Sequence, residues 1–451
     1  MTTRISLAAG FDRSLFWHRG GSCRHLVVRV SATGPDRAPV FDVAPLNIAL
    51  AIDASGSMSG AKLDAAKRAA LGLIDRLTSQ DRLTLVSFAS DVIVHQDAVK
   101  AGPELHARIA AEIGALETRG MTNLSDGWFA AVECAAAVAD RDVDREADRD
   151  ADRDRAMTPR VIVLSDGRAN EGITDRAALA RHADELRRRG VLTSTLGIGD
   201  DYDEMLLSGM AEAGGGRFHD AEHAEEIESV LLGELSEIHG GLVDRVEIGI
   251  APPPGFQLVS LGRTGRQESD GRLVCQIGSL HAGSDRIAVF RVFCPDAEPG
   301  EEGSFAVTAE GIAAITGERL VTGPEIARLT AAGSEANRAQ PRDEALAADV
   351  AKVWLAHVVA EAAALNRRGA HLEAARMVER ELRHFERYVA DLPGGVRMVE
   401  ELRLLSRRAE RELSPRLSKE MMLRSRLAVE GRSDHRGTTK EDWAERIRRG
   451  E

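Results

Sequence analysis

Leu46-Asn47-Ile48-Ala49-Leu50-Ala51-Ile52-Asp53-Ala54-Ser55-Gly56-Ser57-Met58 is the stretch that decides the fold. An apolar run of buried type ends abruptly in an aspartate, two serines and a glycine, and an amphipathic helix pattern begins near Gly60. In a doubly wound α/β sheet, ligands sit at such junctions, outside the carboxyl ends of parallel strands. Asp53, Ser55 and Ser57 offer one carboxylate and two hydroxyls there. These are hard oxygen donors, suited to magnesium or manganese rather than zinc.

Outward from this stretch, residues 46–240 alternate strand and helix. Apolar runs near 46–52, 82–88, 160–164 and 191–196 predict strands, and helical spacing of apolar residues predicts helices near 61–77, 124–139, 176–189 and 204–213. Such alternation implies βαβ units and a mainly parallel sheet. The run 140–155 interrupts it with Asp, Arg and Glu in near alternation, which predicts a solvated loop, with an acidic docking segment as the alternative.

The flanks differ. His25-Leu26-Val27-Val28-Arg29-Val30 predicts a strand within 1–45, and Val243–Ile250 alternates with period two. One or two N-terminal strands cannot stand alone. They are expected to complete a small antiparallel β-sandwich formed by 241–335, with the α/β domain inserted into it. Residues 336–425 predict a helical bundle, and 426–451 a loose polar tail. The expected fold class is therefore α/β, a doubly wound and mainly parallel sheet, inserted into an all-β sandwich and followed by helices.

At 451 residues two or three domains are expected. A net charge of −13 argues against a nucleic-acid-binding surface. No apolar stretch is long enough to span a bilayer. The four cysteines lack CxxC or framework spacing and read as reduced thiols in a cytoplasmic protein.

Two further segments belong with the first. Arg119-Gly120-Met121-Thr122-Asn123-Leu124 opens a helix, and Val161-Ile162-Val163-Leu164-Ser165-Asp166-Gly167 is a second apolar strand ending in aspartate. The strand at 160–164 is expected beside 46–52, across the reversal of strand order. Asp53 and Asp166 then project into one crevice, closed by Thr122. Facing carboxylates repel, and a divalent cation removes that cost. The expected set is a metal site of Asp53, Ser55, Ser57, Thr122 and Asp166, binding Mg2+ or Mn2+, with one position open for a carboxylate from outside.

Order and spacing of these three segments resemble the metal-ion-dependent adhesion site of von Willebrand factor type A domains, over about residues 46–240. The wider layout resembles bacterial cytoplasmic members and, more distantly, inter-alpha-trypsin inhibitor heavy chains. Met121 departs from the pattern, since many relatives carry a second glycine before the threonine. The resemblance implies a non-enzymatic adaptor whose metal bridges to an Asp or Glu of a protein partner, with AAA-type ATPases, phosphatases or kinases as candidate partners.

Other readings stand beside it. Asp53, Ser55 and Ser57 could simply cap the next helix. His219 and His223 lie at helical spacing, but zinc needs three or four ligands. Arg168, Asn170 and Glu171 are read chiefly as capping residues, with Asn170 near enough to shape the rim. Gly56 to Lys62 has the wrong spacing for a phosphate loop. Two alternative functions stay open: a metal-dependent phosphoester hydrolase, and a structural assembly protein stabilised by its metal.

Overall fold

The computed structural model describes residues 3–34, 45–143, 158–263, 265–283, 285–431 and 443–450. Its central feature is a six-stranded sheet in the order Val92–Lys100, Arg82–Phe88, Asn47–Asp53, Pro159–Ser165, Leu192–Ile198, Gly215–Ala221. All neighbouring pairs are parallel except the edge pair of Arg82–Phe88 with Val92–Lys100. The strand Asn47–Asp53 is buried throughout, because helices cover both faces of the sheet. Ile48, Leu50 and Ile52 share one core with Leu63, Ala66, Ala70 and Leu73 of the helix Ala61–Ile74. Ala49 and Ala51 face the other way, into a core with Leu124 and Trp128. Coverage on both faces is why this strand is a continuous apolar run rather than an alternating one.

Two antiparallel sheets flank this domain. One runs Arg4–Phe11, Cys23–Thr33, Asp285–Phe293, Gln257–Leu261. The other runs Gly265–Gln267, Leu273–His281, Gly241–Ala251, Glu302–Ala313, Arg319–Ala332, Leu15–Trp17. Strands from before the α/β domain thus lie in both sheets with strands from after it, and the α/β domain is an insertion. Alternation explains the N-terminal strand. Leu26, Val28 and Val30 enter the sandwich core, whereas Val27 enters the core of the helical region. Arg29, on the same side as Val27, pairs with Asp285 and Asp349.

The helices Glu344–Arg367, His371–Val389, Gly395–Ala409 and Pro415–Glu430 form the bundle against that sheet. Here the structure corrects the expected loose tail. Pro415–Glu430 runs through residue 425 without a break, and Trp443–Arg448 is a further helix whose Trp443 is buried in the bundle core. Leu417, Met421 and Val429 face the bundle, and Leu423 faces the α/β core. Apolar residues on two sides of one helix leave no single stripe for periodicity to detect. The helix Leu124–Val143 enters the charged run after Ala139, and the remainder of that run lies outside the described residues.

Candidate metal centre

The carboxyl ends of Asn47–Asp53 and Pro159–Ser165 are neighbours in the sheet, so the residues that follow them emerge together. Asp53 and Asp166 are both fully buried there. The loop after Asp53 turns back at once: the Ser55 amide donates to Asp53 Oδ1 at 2.8 Å, and the Ser55 and Ser57 hydroxyls lie 3.1 Å apart. Ser57 Oγ donates to Asp166 Oδ1 at 2.7 Å, which ties the first segment to the second.

The third segment is pinned by main-chain bonds. Gly56 donates to the Gly120 carbonyl at 3.2 Å, Arg119 to that of Ala54 at 2.7 Å, and Asn123 to that of Ala89 at 2.9 Å. Gly120 has φ +56°, and a Cβ there would stand 2.6 Å from Ser90 Oγ, so the turn requires glycine. Met121, the departure noted in the sequence, is half exposed and donates its amide to Ser90 Oγ. It points away while Thr122 turns inward and is buried.

Gly167 measures the convergence. A Cβ at that position would lie 3.0 Å from Thr122 Oγ1, 3.4 Å from Ser57 Oγ and 3.9 Å from Asp53 Oδ2. Oxygens from the first and third segments therefore face one small space beside the second. The structure brings together Asp53, Ser55, Ser57, Thr122 and Asp166.

Residues 47–232 match the model of the von Willebrand factor type A domain. The chain contains a von Willebrand factor type A domain. An uncharacterized protein of Synechocystis sp. is 30% identical over 208 residues, which are 46% of this chain and 44% of that one. The human inter-alpha-trypsin inhibitor heavy chain H3 is 26% identical over 207 residues, 46% of this chain and 22% of that one. The chain thus spans less than half the length of these curated relatives. Among solved structures, a von Willebrand factor type A protein from Catenulispora acidiphila is similar at a TM-score of 0.65 and 18% identity, covering 89% of each chain. The ArnB paralog VWA2 from Sulfolobus acidocaldarius is similar at 0.59 and 16% identity, covering 95% of this chain and 99% of that one. The likeness in fold therefore extends beyond the von Willebrand factor type A domain to the flanking sandwich and helices.

Three further residues of this domain join the site: Ser165 and Lys62, which the sequence does not assign to it, and Asn170, which it places at the rim. Ser165 Oγ donates to Asp53 Oδ2 at 2.5 Å, and Lys62 Nζ donates to Asp166 Oδ2 at 2.5 Å. Asn170 Oδ1 accepts from the Thr122 amide at 2.9 Å, while the Asn170 amide donates back to the Thr122 carbonyl at 3.1 Å. Asn170 is thus a strut for the Thr122 loop and not a helix cap. The cap is Asp175, which accepts from the Ala178 amide at 2.8 Å. The sequence offers Lys62 only as a phosphate-loop lysine, although its place on the first turn of Ala61–Ile74 points it back over the loop.

Electrostatics fit a cation. Burial pushes the Asp53 carboxyl above its ordinary range; hydrogen bonds from Ser165 and Ser55 oppose this, and the Asp166 charge adds to it. Asp53 is met by hydroxyl and amide donors, and a divalent ion would supply the missing positive charge. The donors are all oxygen, which suits magnesium or manganese.

The histidine pair behaves differently. His219 Nε2 lies 2.9 Å from Glu234 Oε2, and no group of three or more His, Cys, Asp or Glu side chains able to hold a metal is found among the described residues. The four cysteines are free. No helix among the described residues is long and apolar enough to cross a membrane.

Proposed function

We propose that the chain is a non-enzymatic interaction module, in which Asp53, Ser55, Ser57, Thr122 and Asp166 hold Mg2+ or Mn2+ and the metal grips an Asp or Glu of a protein partner. The observation that carries this reading is the convergence of Thr122, Ser57 and Asp53 oxygens on the space beside Gly167. The serines and threonine would hold the ion through hydroxyls, and the aspartates directly or through water. The ion supplies a Lewis-acidic seat for an oxygen anion. The chain's own residues fix that seat: Ser165 orients Asp53, Asn170 braces the Thr122 loop, and Lys62 balances Asp166.

A hydrolase would need a base beside the metal. Among the described residues, Ser165, Lys62 and Asn170 are the outside side chains bonded to these five residues, and Lys62 is already committed to Asp166. That supports binding over catalysis. A cytoplasmic adaptor role, with an AAA-type ATPase, a phosphatase or a kinase as partner, belongs to the same reading. Calorimetric titration of magnesium into the wild type and Asp166→Asn tests the seat. Saturable binding by the wild type alone is expected, and equal heats from both chains would end the proposal. Pull-down with and without chelator then tests the partner, whose capture should require the metal.

A further inference from the structure

The inserted domain meets the sandwich at a charged seam, and the seam opens into a cavity of about 280 Å³. Five arginines and two glutamates, Glu247 and Glu310, line it, in a chain whose net charge is −13. Arg187 and Arg188 come from the inserted domain's helix Arg176–Arg188, and Arg245 from the first strand after that domain. Arg266 and Arg319 come from the sandwich strands Gly265–Gln267 and Arg319–Ala332.

Four of the five are matched with carboxylates. Arg187 pairs with Glu247 at 2.7 Å and Asp184 at 2.8 Å, and Arg188 with Asp184 at 2.6 Å. Arg266 pairs with Glu268 at 2.9 Å, and Arg319 with Glu310 at 2.5 Å. Arg245 is the exception among the described residues. Its Nε is buried without a hydrogen-bond partner. The adjacent Asp244 is already spent on Arg160 at 2.5 Å and Ser279 at 2.7 Å.

The backbone is bent to place it there. Strand Gly241–Ala251 shifts register between Val243 and Val246 against one neighbour and between Asp244 and Glu247 against the other. At that bulge Arg245 has φ +54°, a left-handed conformation that is strained for a non-glycine residue. A bulge of this kind re-aims a side chain out of the regular alternation of the strand. Burial and the neighbouring guanidiniums of Arg187 and Arg160 push the Arg245 pKa down from its ordinary value, against the pull of Asp244. An unmatched guanidinium on a strained backbone, beside arginines whose own charges are met by carboxylates, has an anion as its natural complement.

We propose that this arginine-lined cavity binds a small phosphate-bearing anion, of the size of phosphate or pyrophosphate, and that Arg245 is its principal ligand. Guanidinium forks match phosphoryl oxygens in bidentate fashion. The volume falls below the roughly 300–1,000 Å³ of pockets for drug-sized ligands, which suits a compact ion. Because Arg187 and Arg188 belong to the inserted domain and the other three to the sandwich, the anion also clamps the two together.

The test is calorimetric titration of pyrophosphate, phosphate and sulfate into the full chain. EDTA is present throughout and chloride holds ionic strength constant. Saturable binding is expected, at least tenfold weaker in Arg245→Gln and severalfold weaker in Arg188→Gln, whose side chain is exposed and gives up only its surface pair with Asp184. Asp166→Asn is expected to bind as the wild type does, separating this site from the metal centre. A preference for pyrophosphate or phosphate over sulfate identifies the phosphoryl group. Absence of saturable binding, equal affinity in the wild type and both arginine variants, or loss in Asp166→Asn overturns the proposal.

Discussion

Two buried aspartates in this chain have opposite fates. Asp244, at the seam between the inserted domain and the sandwich, receives the Arg160 guanidinium at 2.5 Å and the Ser279 hydroxyl at 2.7 Å. Those partners outweigh its burial and hold its carboxyl below the usual range. Asp53, at the rim of the parallel sheet, has hydroxyl and amide donors and a second carboxylate nearby, and its carboxyl is pushed up. The donor types make the difference, since both groups are buried. A carboxylate closed by a guanidinium is a structural lock, whereas one surrounded by neutral donors is half of a site.

Breaking the lock gives the largest expected effect. Asp244→Ala leaves Arg160 largely buried without its charge partner, and such a loss costs about 3–5 kcal/mol. Urea unfolding should show it as a large fall in midpoint. Asp166→Asn, measured the same way in chelator, should cost about 1 kcal/mol or less, because Lys62 is partly exposed and can rehydrate. If the two variants were equally destabilised, the contrast between lock and site would be wrong.

Glu204 lies between these extremes. It is fully buried and paired with Arg367, yet its Oε1 has no hydrogen-bond partner. Burial outweighs Arg367 and Lys419 and pushes its carboxyl up to about 7. Between the ordinary value of 4.5 and about 7, the folded chain therefore holds a proton that the unfolded chain has released. Stability should fall as pH rises through that window, by about 3 kcal/mol from this group. Denaturation midpoints followed from pH 4.5 to 8 would show the slope, and Glu204→Gln should flatten it.

Metal addition sharpens the contrast from the other side. A ligand at 100 times its Kd stabilises by about 2.7 kcal/mol. Saturating magnesium should therefore raise the melting temperature of the wild type by several degrees. It should leave Asp166→Asn unmoved. A rise of the same size in both would mean that the ion binds elsewhere.

How much of this was legible follows from the same physics. Asp53 and Asp166 could be read because each ends an apolar run, and in parallel strands both runs end at one edge. The flanking sandwich was legible in outline, but Arg319–Ala332 was not, since its first half is largely exposed and Gly323-Pro324 interrupts its pattern. The continuation of Pro415–Glu430 past residue 425 was hidden because this helix faces two cores at once. The arginine cavity has no local signal at all. Its five residues are scattered from 187 to 319, and only a bulge in the strand beginning at Gly241 aims Arg245 among them.

Asn170 and Asp175 give the smallest and finest test, because residue type alone makes Asn170 look like a cap for the helix that Asp175 caps in the structure. In the structure only Asp175 accepts from a helix N-terminal amide, whereas Asn170 holds the amide of Thr122 across a gap of 48 residues in sequence. Loss of an N-cap costs about 1 kcal/mol, so Asp175→Ala should lower the urea midpoint slightly and leave magnesium affinity unchanged. Asn170→Ala removes a bond made by an exposed side chain and should change stability even less. Its effect should instead fall on the metal, because an unbraced Thr122 spends less time with its hydroxyl turned toward Gly167. A severalfold weaker magnesium titration is expected for Asn170→Ala alone. The reverse pattern, with Asp175→Ala weakening the metal and Asn170→Ala sparing it, would return Asn170 to the helix and leave the Thr122 loop held by its main-chain bonds.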